Sequence, residues 1–119
     1  ALIDLDTLLP GCVLSDIGDM IRTYSNPVGE ESKGIDKVVC NIEIINTIIQ
    51  EFTKKVALGK KEIENLFFGG MAITFMQSVR FLTDYLNGDS YYKTSYKDQN
   101  LVRAKNQWAL YKSFIIKAL

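Results

Sequence analysis

Residues Leu2 to Thr23 read Leu-Ile-Asp-Leu-Asp-Thr-Leu-Leu-Pro-Gly-Cys-Val-Leu-Ser-Asp-Ile-Gly-Asp-Met-Ile-Arg-Thr, and this stretch alone in the 119-residue chain concentrates carboxylates beside apolar residues. Everything after it reads as helix. With Leu2 to Asp6 as a short strand, alternation puts Leu2, Asp4 and Asp6 on one face and Ile3 and Leu5 on the other. The two carboxylates then point the same way from Cα atoms roughly 6.5 to 7 Å apart, two strand steps. A hard divalent cation such as magnesium suits that pair, held by Asp4 directly and by Asp6 through a water or a second ion. Pro10-Gly11 ends the strand in a turn.

Outward from this stretch, Ser15 is an expected helix N-cap. Asp16 and Asp19 place negative charge in the first turn of a helix over 16–24, which Asn26-Pro27 stops. A polar loop follows over 28–34. Apolar residues at Ile35, Val38, Val39, Ile42, Ile45, Ile49, Phe52 and Val56 predict a long amphipathic helix over 35–57, with Ile44 and Ile48 widening its stripe. So many β-branched residues leave burial, rather than propensity, to hold this helix. After Leu58-Gly59, a third helix is expected over 61–87. Its predicted stripe takes in Ile63, Leu66, Phe67, Met71, Thr74, Phe75, Ser78, Phe81, Leu82, Tyr85 and Leu86. Gly69-Gly70 inside that stripe implies a close helix contact or a kink, and Asn87-Gly88 reads as a C-cap. An aromatic loop with Tyr91, Tyr92 and Tyr96 precedes a last helix over 101–119, with a predicted stripe of Leu101, Ala104, Trp108, Tyr111, Ile115 and Leu119.

Length fits one domain over 1–119, and the 47% hydrophobic content supports a buried core. Fourteen basic residues balance fourteen acidic ones, which leaves no excess for a phosphate backbone and argues against a nucleic-acid partner. No apolar run of membrane-span length stands out and no cleavable signal opens the chain, so no membrane partner and a soluble, cytoplasmic protein are expected. Cys12 and Cys40 suit neither a zinc site nor a disulfide framework and are expected reduced and buried.

The run Asp4-Leu5-Asp6-Thr7-Leu8-Leu9-Pro10-Gly11, with Ser15 to Thr23 after it, resembles the magnesium-binding segment of the aminoglycoside phosphotransferase and choline kinase-like family. Arg80-Phe81-Leu82-Thr83-Asp84-Tyr85-Leu86-Asn87-Gly88-Asp89 is similar to the N-acetylhexosamine kinase-like branch of it. The resemblance runs from Leu2 to about Lys112, but over only the last part of a family member. It implies a mainly α-helical C-terminal subdomain of a protein-kinase-like fold with one short N-terminal strand. It further implies an ATP- and magnesium-dependent kinase acting on a sugar or aminosugar hydroxyl. Asp4 and Asp6 would hold the metal, Asp16 would be a buried carboxylate bracing the catalytic loop, and Arg22, Arg80, Asp84 and Tyr85 would contribute to the acceptor site. The family's glycine-rich loop, phosphate-binding lysine and His-x-Asp catalytic loop lie before this segment, and the chain has no histidine. The start on a strand at Ala1 likewise suggests a piece of a longer chain. Such a piece is expected to be inactive alone, to bind neither ATP nor magnesium appreciably, and to self-associate through the Ile44, Ile45, Ile48, Ile49 face and the Leu2 to Leu5 strand.

Several residues keep a second reading. Asp16 also serves as an ordinary first-turn carboxylate of its own helix. Arg80, Asp84 and Asn87, three and four apart, form either a polar wall for sugar hydroxyls or a solvated i,i+4 salt bridge. The tyrosine loop either stacks on a sugar or packs as a core rim. An aspartyl-phosphatase reading of Asp4 and Asp6 requires one residue between the second Asp and the Thr, yet Thr7 follows Asp6 directly. Some relatives carry a mucin-desulfating label, but neither cysteine is followed by a Cys-x-Pro-x-Arg sulfatase motif. A helical interaction module without catalysis is the alternative for the whole chain.

Overall fold

A computed structural model describes residues 10–119 of the chain. Among them the fold is all helical: α1 Val13–Ser25, a 3-10 turn Ile35–Lys37, α2 Ile42–Lys55, α3 Lys60–Leu86 and α4 Gln99–Ala118, with no strand. The expected strand over 2–6 and the carboxylates Asp4 and Asp6 lie outside the described residues. α3 is the central element, packed against α1 and α4, while α2 leans mainly on α1.

The first helix starts earlier than Ser15 suggests. Cys12 takes the N-cap position with extended backbone and no side-chain cap, and the Ser15 amide already donates to the Cys12 carbonyl at 2.9 Å. Asp16 keeps its place in the first turn, where its charge meets the helix dipole, but it is exposed, which corrects the buried carboxylate that the resemblance implies. Pro27 holds Asn26 in extended backbone and stops the helix as expected. Ile17, Gly18, Ile21 and Ser25 form its buried stripe.

The helix expected over 35–57 begins only at Ile42. The amides that a longer helix would need are engaged elsewhere: Cys40 donates to Ser113 Oγ at 2.8 Å and Asn41 to the Ser25 carbonyl at 2.9 Å. The Asn41 side chain then caps α2, accepting from the amides of Glu43 at 3.0 Å and Ile44 at 3.2 Å. The β-branched pair Val38-Val39 is at ease in the extended link this leaves. Within α2, Ile45 is buried and Ile48 and Ile49 pack on the core, so the widened isoleucine face turns inward and leaves only Ile44 exposed.

Gly69-Gly70 marks the close contact its pairing suggests. A Cβ on Gly18 would come within 2.7 Å of the Gly69 carbonyl oxygen, one on Gly69 within 2.7 Å of the Leu14 carbonyl oxygen, and one on Gly70 would run into Ile21. Glycine at all three positions lets α1 and α3 cross backbone to backbone. Leu66, Thr74, Ser78 and Phe81 continue the buried side of α3, and the Thr74 hydroxyl donates back to the Gly70 carbonyl at 2.7 Å. The predicted stripe was too wide: Ile63, Phe75, Leu82 and Leu86 are exposed. By length and composition α3 also qualifies as a membrane span, which corrects the expectation that no segment does; here its buried side packs on α1 and α4. Of the two free cysteines, Cys40 is buried but Cys12 is exposed.

On α4 the buried face differs from the predicted one. Ala104 is buried as expected, but Trp108, Ile115 and Leu119 are exposed, and Asn100, Asn106, Gln107, Leu110, Ser113 and Phe114 face inward. The inward amides are satisfied by the loop after α1: Asn106 donates to the carbonyls of Gly29 at 2.8 Å and Ser32 at 3.2 Å, and Asn26 donates to Asn106 Oδ1 at 2.9 Å. A polar face can be buried at little cost when its groups are paired in this way.

Candidate functional site

The end of α3 and the loop that follows it build a cleft of about 380 Å³ lined by Arg80, Thr83, Asp84, Asn87, Tyr91 and Tyr92, among others. The local sequence explains its shape. Gly88 at φ 83° closes α3: its amide donates to the Tyr85 carbonyl at 3.2 Å, and the Asp89 amide donates to the Asp84 carbonyl at 2.8 Å, the paired pattern of a glycine-terminated helix. The chain thereby turns back along α3 and brings Tyr91 and Tyr92 beside Arg80.

Asp84 holds that turn together. It is 5% exposed, its Oδ1 accepts from the Tyr91 amide at 2.8 Å, and its Oδ2 accepts from the Tyr92 amide at 2.9 Å and from Asn100 Nδ2 at 2.8 Å. Burial pushes the Asp84 carboxyl up, but the amides of Tyr92, Tyr91 and Ser90 outweigh it and hold it below the ordinary carboxylate value. Neither sequence reading of Asp84 describes this arrangement. The carboxylate is committed to backbone amides, so it is neither a free sugar ligand nor half of a surface salt bridge.

Arg80 makes no ion pair among the described residues. Its guanidinium lies over the rings of Tyr92 at 5.5 Å and Tyr91 at 5.9 Å, with its donors left to the cleft. Tyr92 packs edge-tilted on Phe81 at 4.8 Å between centroids, whereas Tyr91 is 74% exposed. The two readings of the tyrosine loop are thus divided between its members: Tyr92 is core rim, and Tyr91 is an open aromatic face. Tyr85 points elsewhere; Asp98, by hydrogen bond and by charge, pushes its phenol up.

Arg22 belongs to a different place. Its Nε meets Asp19 at 2.7 Å, and its Nη1 meets Glu30 at 2.8 Å and Gln107 Oε1 at 3.1 Å, beside a cavity of about 280 Å³ that also takes in Thr23 and Asn26. Burial alone would lower the guanidinium pKa, but the bonds to Asp19 and Glu30 raise it. Two carboxylates neutralise this cation, and it ties α1 to α4. The structure brings Arg80, Asp84 and Asn87 together and leaves Arg22 and Tyr85 out of their cleft.

Asn100 and Arg103 are the residues that sequence reasoning missed. Asn100 joins Asp84 to Asp89, donating to Asp89 Oδ1 at 2.9 Å, and Arg103 donates to Asn100 Oδ1 at 3.0 Å while pairing with Glu31. Their signal was the three-four spacing of Asn100, Arg103 and Gln107, a second stripe on α4 that looked like the solvent side because it is polar. Among the described residues no group of three metal-ligating side chains converges. No protein-family model matches the chain.

Proposed function

We propose that this chain is the acceptor-binding helical subdomain of an ATP- and magnesium-dependent kinase of the aminoglycoside phosphotransferase and choline kinase-like type, acting on a sugar or aminosugar hydroxyl. The observation that carries the reading is the cleft at the end of α3. Arg80, Thr83 and Asn87 supply donors and acceptors beside the open face of Tyr91, a pairing of polar groups with an aromatic face that suits a sugar ring. The resemblance of Asp4 to Gly11 and of Arg80 to Asp89 to that family supplies the reaction class.

In this reading Asp84 acts as a positioning residue. It fixes the backbone of Tyr91 and Tyr92, so the aromatic wall stands ready before the acceptor arrives. Arg80 and Asn87 orient the ring so that one hydroxyl faces the ATP γ-phosphate, and the transfer depends on alignment more than on covalent chemistry. Magnesium, when bound, would neutralise developing phosphate charge, and Asp4 with Asp6 is the carboxylate pair this reading assigns to hold it. Asp16, exposed on the first turn of α1, is the residue this reading assigns to bracing the catalytic loop.

The test is phosphoryl transfer from ATP to a panel of sugars by the full-length protein that carries this segment, with the Asp4→Asn variant in parallel. The expected result is turnover by the parent and none by the variant, whose helical circular dichroism is unchanged. Near-parental turnover by Asp4→Asn removes Asp4 as a metal ligand, and no transfer to any sugar removes the kinase reading.

A further inference from the structure

The α3–α4 pair has an outer face that α1 and α2 leave uncovered, and it is both apolar and cationic. On α3, Phe68, Ala72, Phe75, Val79, Leu82 and Leu86 recur at alternating steps of four and three, the spacing by which one helix seats against another, and all but Ala72 are exposed. On α4, Trp108 is 45% exposed and stands 6.3 Å from Phe75 between ring centroids. Between the two helices runs a groove of about 440 Å³ whose lining includes Val79, Leu82, Leu101, Lys105 and Trp108. A contiguous apolar surface with a cleft in it marks an interaction site.

The charges indicate what fits. Lys105 lines the groove, and Lys112 follows seven residues later on the same side of α4. α4 carries no Asp or Glu along its whole length, and the one carboxylate on α3 after Glu64 is Asp84, which is buried in its loop. Two copies meeting through this face would bring cations to cations, which disfavours a second copy. A lipid surface takes a convex or flat face, whereas this one is grooved. We propose that the α3–α4 face docks an amphipathic helix whose apolar stripe is flanked by carboxylates, with apolar residues entering the groove and the carboxylates meeting Lys105 and Lys112.

Trp108 is the only tryptophan of the chain, so its emission reports the groove alone. The full chain is titrated with two designed three-heptad peptides that share a leucine stripe, one flanked by glutamates and the other by lysines. Two rim pairs near the middle of the exposed range amount to about tenfold in affinity. The proposal expects saturable blue-shifted Trp108 emission with the glutamate peptide, about tenfold weaker binding of the lysine peptide, and reversed preference in Lys105→Glu/Lys112→Glu. Both lysines are exposed, so the fold does not depend on them. A second variant, Leu82→Asp, should abolish the shift for both peptides. Absence of binding by the glutamate peptide, equal affinity for both peptides, a shift obtained only with phosphatidylserine vesicles, or a sedimenting dimer with Trp108 already buried would each overturn it.

Discussion

The two faces of α4 depart from the usual division of polar outside and apolar inside. Its inner face is rich in amides, with Asn100, Asn106 and Gln107 buried, while its outer face shows Trp108, Ile115 and Ile116. The inner face is specified by directional bonds to particular partners, so each side chain has one place to go. The outer face has no such directional bonds among the described residues: Trp108 lies beside the Phe75 and Tyr111 rings, and Ile116 is largely exposed. Burial on this helix therefore follows hydrogen-bond pairing at Asn100, Asn106 and Gln107 as well as hydrophobicity at Leu110 and Phe114, and the two faces should respond differently to mutation.

The largest effect is expected on the inner face. Asn106→Ala strips partners from the Gly29 and Ser32 carbonyls and from the Asn26 amide, and should cost about 2–4 kcal/mol, read as a fall in the urea midpoint at unchanged m-value. A change below 0.5 kcal/mol would mean that water replaces those bonds freely. Gly69→Ala probes the α1–α3 crossing, where the added methyl meets the Leu14 carbonyl. Overpacking there should cost about 1–3 kcal/mol even though alanine favours the helix. Stabilisation instead would show that the two helices can move apart at no cost.

Asp84 connects the inner face of α4 to the cleft. Its folded pKa is depressed, so its contribution to stability is complete above the ordinary carboxylate value of about 3.9 and is lost as pH falls through the lower folded value. Asp84→Asn should weaken the fold at neutral pH and flatten the acid limb of the stability profile. Parallel acid limbs in the two proteins would assign that limb to other carboxylates. The smallest effect belongs to the outer face: Ile116→Ser should leave the chain's stability within about 0.5 kcal/mol.

The helical class, the Asn87-Gly88 stop and the tight packing at Gly69-Gly70 were all legible, because each rests on local chemistry that a single segment carries. The late start of α2 was less so, since it depends on Ser113 and Ser25 drawing away the amides of Cys40 and Asn41, and those partners are distant in sequence. The inner face of α4 was misread for the same reason: a buried Asn106 is indistinguishable from a solvated one until the Gly29 and Ser32 carbonyls are placed against it. At the end of α3, the Arg80, Asp84, Asn87 spacing places all three residues in one cleft, but Asp84 changed roles because the Tyr91 and Tyr92 amides fold back onto it.

The proposed sugar-binding role of the cleft at the end of α3 is tested most directly by a two-dimensional NMR titration of the chain with N-acetylglucosamine and a panel of other sugars, repeated on Arg80→Ala. Saturable shifts are expected at Thr83, Asn87, Tyr91 and Tyr92 with at least one sugar, with an unmoved Asn106 side-chain amide and loss of the shifts in Arg80→Ala, whose side chain is exposed. Shifts that survive Arg80→Ala, that gather around Arg22 instead, or that fail to appear with any sugar would contradict it.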